Sequence, residues 1–279
     1  MKACYHLPGL FEFYDLYRAF LPLFREHRDW FYDWCDIGSI YGAPADCLWG
    51  GGRVGFGEEE PERVAALMRE YGVSARLTFS NSLLREEHLS DRKCNALCAL
   101  FEKSGTAQNG VILCSDLLLQ TLRERYPGFY FVSSTTKVLT AFDQLEDELR
   151  REEFDFVVPD FRLNKALDQL RALPEALKRK VGLLCNECCW FDCPDRKACY
   201  ENVSRKSLGE DIEDHVCVSP AAGSATDTAV SEYAAPDISP SGEDSLKRER
   251  TRRWISSEEQ TSWRNSGRCA HGRTNPPNS

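Results

Sequence analysis

The sequence predicts an α/β protein of the (β/α)₈ TIM-barrel type, incomplete at its C-terminal end, with seven βα units and then a disordered tail. Three observations carry that expectation. Short apolar runs alternate with segments of helical spacing, the pattern of a parallel sheet covered by helices. Seven such units fall within residues 1–218 without a large break, which favours a barrel over the alternative, an open doubly wound sheet. Polar and charged residues follow the apolar runs directly, where a barrel would gather them on its C-terminal rim.

The elements are expected in this order. Lys2–His6 reads as a strand and Leu10–His27 as a helix despite Pro22. Trp30–Ile37 reads as the second strand, followed by a Gly- and Trp-rich loop. Pro61 opens a helix with Val64, Leu67, Met68 and Tyr71 on one face, and Gly72 closes it. Ala75–Phe79 is the third strand. Ser90 is expected to cap a helix with Cys94, Leu97, Cys98 and Phe101 on its apolar stripe. Gly110–Cys114, Tyr130–Ser133, Phe154–Val158 and Lys180–Cys185 supply strands four to seven, and Leu117–Tyr126, Ala141–Glu153 and Asn164–Leu173 the helices between them.

Composition bounds the function. With 279 residues, 42% hydrophobic and 28% charged, the chain can bury one large core or two modest ones. A net charge of −9 argues against non-specific nucleic-acid binding. The start carries no apolar signal segment, and no apolar run reaches the roughly 18 residues of a membrane span. A cytoplasmic location with no membrane partner is the expectation. Thirteen cysteines, an odd number, then suggest thiol or metal chemistry in a reducing compartment rather than a disulfide framework.

Five of these cysteines, Cys185, Cys188, Cys189, Cys193 and Cys199, lie between Val181 and Tyr200. Cys189, Cys193, Cys199 and Cys217 are the candidate ligands of an iron–sulfur cluster, with tetrahedral zinc or metal-free redox thiols as alternatives. Cys94 and Cys98 share a helix stripe and read as core, as do Cys4, Cys35 and Cys114 in their strands. Gly50–Gly55 matches a dinucleotide fingerprint only formally, because it runs into Glu58-Glu59-Glu60 instead of a helix. It reads as a rim loop in which Trp49 and Arg53 are free to touch a ligand. His6 is open to a rim role or a core role. The basic run Lys247–Arg253 reads as solvated charge. No H-E-x-x-H, G-x-S-x-G or P-loop occurs.

On the rim, Ser115 and Asp116 are explained as helix caps. Lys137, Arg162 and Glu187 are not, and their charges would converge on one mouth. Glu187, Lys137 and Asp160 are the candidate catalytic residues, and Asn81, Asn186 and Arg162 the candidate substrate contacts.

At Asn186-Glu187-x-Cys189-x3-Cys193-Pro194-x-Arg196, after a seventh strand, the chain resembles barrel proteins related to the collagenase-like peptidase family, a group that includes iron–sulfur accessory proteins of ubiquinone hydroxylation. The rim segments Thr78–Asn81, Ser133–Lys137 and Asp160–Asn164 share in it, over roughly residues 1–217. The group's peptidase signature is not present, and relatives carry His where Cys199 stands. The resemblance implies a cysteine-ligated [4Fe–4S] cluster at the barrel mouth, acting in redox or radical-type modification of a small molecule, peptide or RNA. It offers a collagenase-like hydrolase with Glu187 polarising water as a second reading, and an accessory protein with structural metal and a protein partner as a third.

From Ser219 to Ser279 the apolar periodicity collapses, with Leu246 the sole leucine and no phenylalanine. Such a segment does not bury enough surface to offset its ordering entropy. A shifted reading frame would account for both the composition and the missing closing strand, so this stretch is expected to be a frameshift product.

Overall fold

The computed structural model describes residues 3–51, 60–187, 189–191 and 193–216. Arg53, Cys188, Cys217, the run Lys247–Arg253 and the tail expected to be frameshifted lie outside them. Among the described residues six parallel strands form one sheet in strictly sequential order: β1 (Ala3–Pro8), β2 (Cys35–Gly42), β3 (Ser74–Phe79), β4 (Gly110–Leu113), β5 (Tyr130–Ser133) and β6 (Phe156–Val157). A doubly wound sheet reverses its order at a switch point, and this one never does. Instead it curls. The His6 ring on β1 meets the Phe156 ring on β6 edge-on, with centroids 6.0 Å apart. The result is an incomplete, TIM-like half-barrel.

Among the described residues eight helices accompany the sheet: α1 (Tyr14–Glu26), α2 (Pro61–Tyr71), α3 (Arg92–Lys103), α4 (Asp116–Arg125), α5 (Phe142–Arg150), α6 (Leu167–Ala172), α7 (Glu175–Lys178) and α8 (Arg196–Ser207). Strand alternation divides the sheet into two faces. Ala75, Leu77 and Phe79 of β3 join Val64, Met68, Leu97, Phe101, Leu118, Leu122 and Leu145 in the core between sheet and helices. The opposite face is more polar. Arg76 is buried there with its guanidinium over the rings of Tyr130 and Phe156, at 5.2 and 4.7 Å, and its Nε donates to Tyr130 Oη at 2.7 Å. Gly110 makes this arrangement feasible: a Cβ there would stand 2.5 Å from the Tyr130 ring.

Several sequence expectations shift. The second strand starts at Cys35 because Arg28–Trp30 forms a 3₁₀ turn, and Phe31 packs with Phe20 and Phe24 of α1. Asp91, not Ser90, caps α3, accepting the Cys94 backbone N–H at 2.8 Å. Ser115 does cap α4, accepting from the Leu118 N–H. Cys94 and Cys98 are fully buried, whereas Cys4 is exposed on the edge strand β1. His6 lines the sheet's inner face, with Nδ1 2.8 Å from Ser39 Oγ. Burial and the nearby Arg76 push its pKa down to about 4, so it is neutral at pH 7.

The seventh strand is the main departure. Val157 and Val181 form an isolated parallel bridge, with Val157 N–H donating to Lys180 O and Gly182 N–H to Val157 O. Among the described residues no ladder extends along Lys180–Cys185, and Leu183 is exposed. Among the described residues no helix is long and apolar enough to cross a membrane.

Candidate functional site

The C-terminal ends of β3–β6 converge beneath α8, a helix that no apolar stripe announces. Its inward residues are Arg196, Tyr200 and Ser204, at i, i+4 and i+8. Asn81, after β3, holds its C-terminal turn: Nδ2 donates to Ser204 O at 3.1 Å and to Leu48 O at 3.0 Å, while Oδ1 accepts from the Leu83 N–H. Asn81 is fully buried with its side-chain amide engaged on both ends. Gly51 allows the β2–α2 loop to lie on this turn, since a Cβ there would fall 2.4 Å from Asn81 N. Trp49 of that loop is buried and donates from Nε1 to His88 O, so it does not face a ligand as expected.

Arg196 anchors the other end of α8. Its guanidinium is 1% exposed and lies against two carboxylates, with Nη1 2.5 Å from Glu187 Oε2 and Nε 3.1 Å from Asp160 Oδ2. These are charge contacts more than aligned hydrogen bonds: neither Nε nor Nη1 has an acceptor in line. Nη2 donates to Thr135 Oγ1 at 3.3 Å. Arg162 completes the cluster, donating from Nε to Asp160 Oδ1 at 2.6 Å and from Nη2 to Oδ2 at 3.1 Å. The hydrogen bonds to Asp160 raise the Arg162 pKa against the lowering by burial. Desolvation acts against the Arg196 charge too, but Tyr200 and Glu187 outweigh it and its pKa is raised. Both cations are therefore permanent. Two guanidiniums face two carboxylates in a closed set.

On the far side of the 3₁₀ turn Thr135–Lys137 lies a second charged group. Lys137 Nζ is 2.6 Å from Glu148 Oε1 and 3.8 Å from Asp116 Oδ1. Burial pushes the Glu148 pKa up, but the hydrogen bonds from Lys137 and Ser133 prevail and it is lowered. Lys137 also borders a cavity of about 270 Å³, lined by Ser82, Leu83, Cys114, Thr136, Lys137, Lys197 and Glu201. Lys197 and Glu201 project from α8 and form no ion pair among the described residues. Burial, the largest effect on Cys114, raises its pKa against the hydrogen bond to Thr136 and the charges of Lys137 and Lys197. A protonated thiol is a poor nucleophile.

The structure thus brings Asp160, Arg162 and Glu187 together, with Lys137 beyond Thr135 on the same rim. Asn186 is exposed nearby. Reading the sequence missed the contributions of Arg196, Lys197 and Glu201. An i, i+4 spacing of Lys197 and Glu201 was the available signal.

For a metal centre the described residues offer less. Cys193 is buried, with its carbonyl accepting from Arg162 Nη1 at 3.4 Å, while Cys189 and Cys199 are half-buried. Among the described residues no three His, Cys, Asp or Glu side chains gather as a metal-holding group. Cys217, the fourth candidate ligand, lies outside them.

No family model and no curated protein matches this chain. A solved structure titled "The Structure of the U32 Peptidase Mk0906" is similar to it, with a TM-score of 0.49 and 16% sequence identity, covering 79% of this chain and 83% of that one.

Proposed function

We propose that this chain is a peptidase-like hydrolase whose substrate, a peptide or small molecule bearing a carboxylate, enters the rim cavity. The observation that supports this reading best is the placement of Lys197 and Glu201, which form no ion pair among the described residues, beside Lys137 in one cavity. About 270 Å³ suits a single side chain or a carboxylate terminus, below the roughly 300–1,000 Å³ of a drug-sized site.

In this proposal each residue has one task. Lys197 and Lys137 hold the substrate carboxylate or the carbonyl oxygen as it gains negative charge. Glu201 takes a proton from water as the water oxygen attacks the carbonyl carbon, then returns it to the departing amine. Thr136 and Ser82 orient the substrate by hydrogen bonds. Asp160, Arg162 and Glu187 act through Arg196, keeping α8 and the Thr135–Lys137 turn in position. Glu187 therefore holds Arg196 instead of activating water, with its Oε2 committed 2.5 Å from Nη1.

The test is hydrolysis of gelatin and of a panel of short labelled peptides by the full chain, followed by Glu201→Gln. Loss of about 10²-fold or more in kcat with Glu201→Gln supports the reading, in line with general-base contributions. Cleavage unchanged in that variant would remove it.

The [4Fe–4S] centre on Cys189, Cys193, Cys199 and Cys217 stands as a separate proposal. Iron and acid-labile sulfide in anaerobically purified protein, lost when Cys189 and Cys193 become Ser, would support it.

A further inference from the structure

Two cysteines far apart in sequence meet where the β2–α2 loop crosses the first turn of α3. Cys47 Sγ and Cys94 Sγ are 3.4 Å apart, and both residues are buried. The junction is fixed on each side. One residue earlier in both segments, Asp46 and Lys93 form an ion pair across the same crossing. Asp91 caps α3 through the Cys94 N–H. Trp49 pins the loop by its bond to His88 O and by its edge-on contact with Phe79, with ring centroids 5.2 Å apart.

The two thiols are not equivalent. Hydrogen bonding from Cys94 lowers the Cys47 pKa, and the backbone amides of Gly50 and Trp49 add to this against burial. The same hydrogen bond, with burial, raises the Cys94 pKa. Cys98, one turn further along α3, is buried and also raised, first by desolvation. Two sulfurs in direct contact, one hydrogen-bonded to the other, are placed for a disulfide to form.

We propose that Cys47 and Cys94 are a reversible disulfide site, oxidised by a small peroxide. The Cys47 sulfur attacks one peroxide oxygen, the O–O bond breaks, and Cys47 becomes a sulfenic acid with release of water. The Cys94 sulfur then attacks the Cys47 sulfur. The S–S bond forms as S–O breaks, and the hydroxyl leaves as a second water with the Cys94 proton. Two electrons pass from the thiol pair to the peroxide. Closing from the observed contact to a bond of roughly 2.05 Å requires a small approach of two segments already tied together.

The bond would reach the rim. The same loop accepts Asn81 Nδ2 at Leu48 O and Asn81 N at Trp49 O, at 3.0 and 3.1 Å, and Asn81 holds α8. A disulfide there would stiffen the support of the cavity whether or not the chain is a hydrolase.

The experiment uses the native, full-length, reduced protein, treated with hydrogen peroxide, alkylated, digested and analysed by mass spectrometry. The expected result is a Cys47–Cys94 linked peptide, reversed by dithiothreitol, with a higher Tm in the oxidised form. Cys98→Ser should retain the linked peptide. Cys94→Ser should leave Cys47 as a sulfenic acid that dimedone captures. Linkage of Cys47 to Cys98, or oxidation of Cys47 to the sulfinic acid with Cys94 still free, would overturn the proposal. So would a linked peptide that appears only above the melting temperature. The wild-type peptide decides the matter even where Cys94→Ser fails to fold.

Discussion

The two charged groups on either side of Thr135–Lys137 contain the same kinds of residue and are built for different ends. In the inner group, Arg162 and Arg196 meet Asp160 and Glu187, and Asp160 and Arg196 are essentially sealed from water. Its charges are matched, two guanidiniums against two carboxylates. In the outer group Lys137 meets Glu148 and Asp116, but it also borders a cavity to which α8 adds Lys197 and Glu201. Burial of matched charges fixes position, whereas unmatched charge at a cavity wall is available for binding. One helix serves both, since Arg196 faces inward and its neighbour Lys197 faces the cavity.

The comparison can be broken most severely at Arg196. Arg196→Met would strand Asp160 and Glu187 without their shared cation, and should cost about 3–5 kcal/mol in urea unfolding, as for other broken buried pairs. A cost under about 1 kcal/mol would show that the inner group is not structural. Asn81→Ala removes three hydrogen bonds at the other end of α8 and should cost about 2–3 kcal/mol, read in the same way.

Glu148 sharpens the contrast through pH. Its folded pKa is depressed, so its contribution is present above the ordinary carboxylate range and is lost as pH falls through the lower folded value. Glu148→Gln should therefore be less stable than wild type at neutral pH, with the gap closing as the solution is acidified into the range below an ordinary glutamate. A gap that does not change with pH would remove Lys137–Glu148 as an electrostatic support. Away from both groups, Asp91→Ala deletes only the α3 cap and should cost about 1 kcal/mol.

What the sequence disclosed follows from which residues face inward. Helices α2, α3 and α5 were legible because Val64, Leu97 and Leu145 lie on regular apolar stripes. Helix α8 was not, because its inward residues are Arg196, Tyr200 and Ser204, which a periodicity of apolar residues does not register. The second strand was placed too early because Trp30, Phe31 and Tyr32 look like strand residues. Phe31 instead packs on Phe24 of α1 at 4.8 Å. Lys180–Cys185 has the composition of a strand, but among the described residues it pairs only through the bridge at Val181 and has no neighbouring strand beyond it. An apolar run becomes a ladder only when a partner is there to bond. On the rim, the positions of Asp160, Arg162 and Glu187 were legible from the strand ends, but Arg196, the cation that Asp160 and Glu187 share, was not. The Cys47–Cys94 contact joins segments 47 residues apart and leaves no local signal.

The central claim is that the outer cavity binds a carboxylate and the inner group does not. Calorimetric titration of a short peptide with a free carboxylate into wild-type protein and Lys197→Ala tests it directly. Lys197 makes no ion pair among the described residues, so the variant should keep its stability to within about 0.5 kcal/mol. The account predicts saturable binding to wild type, weakened about 10-fold or more in Lys197→Ala, as expected when a charged hydrogen bond worth about 1.5–3 kcal/mol is lost. Equal affinity of the two proteins, or no binding by wild type, would contradict it.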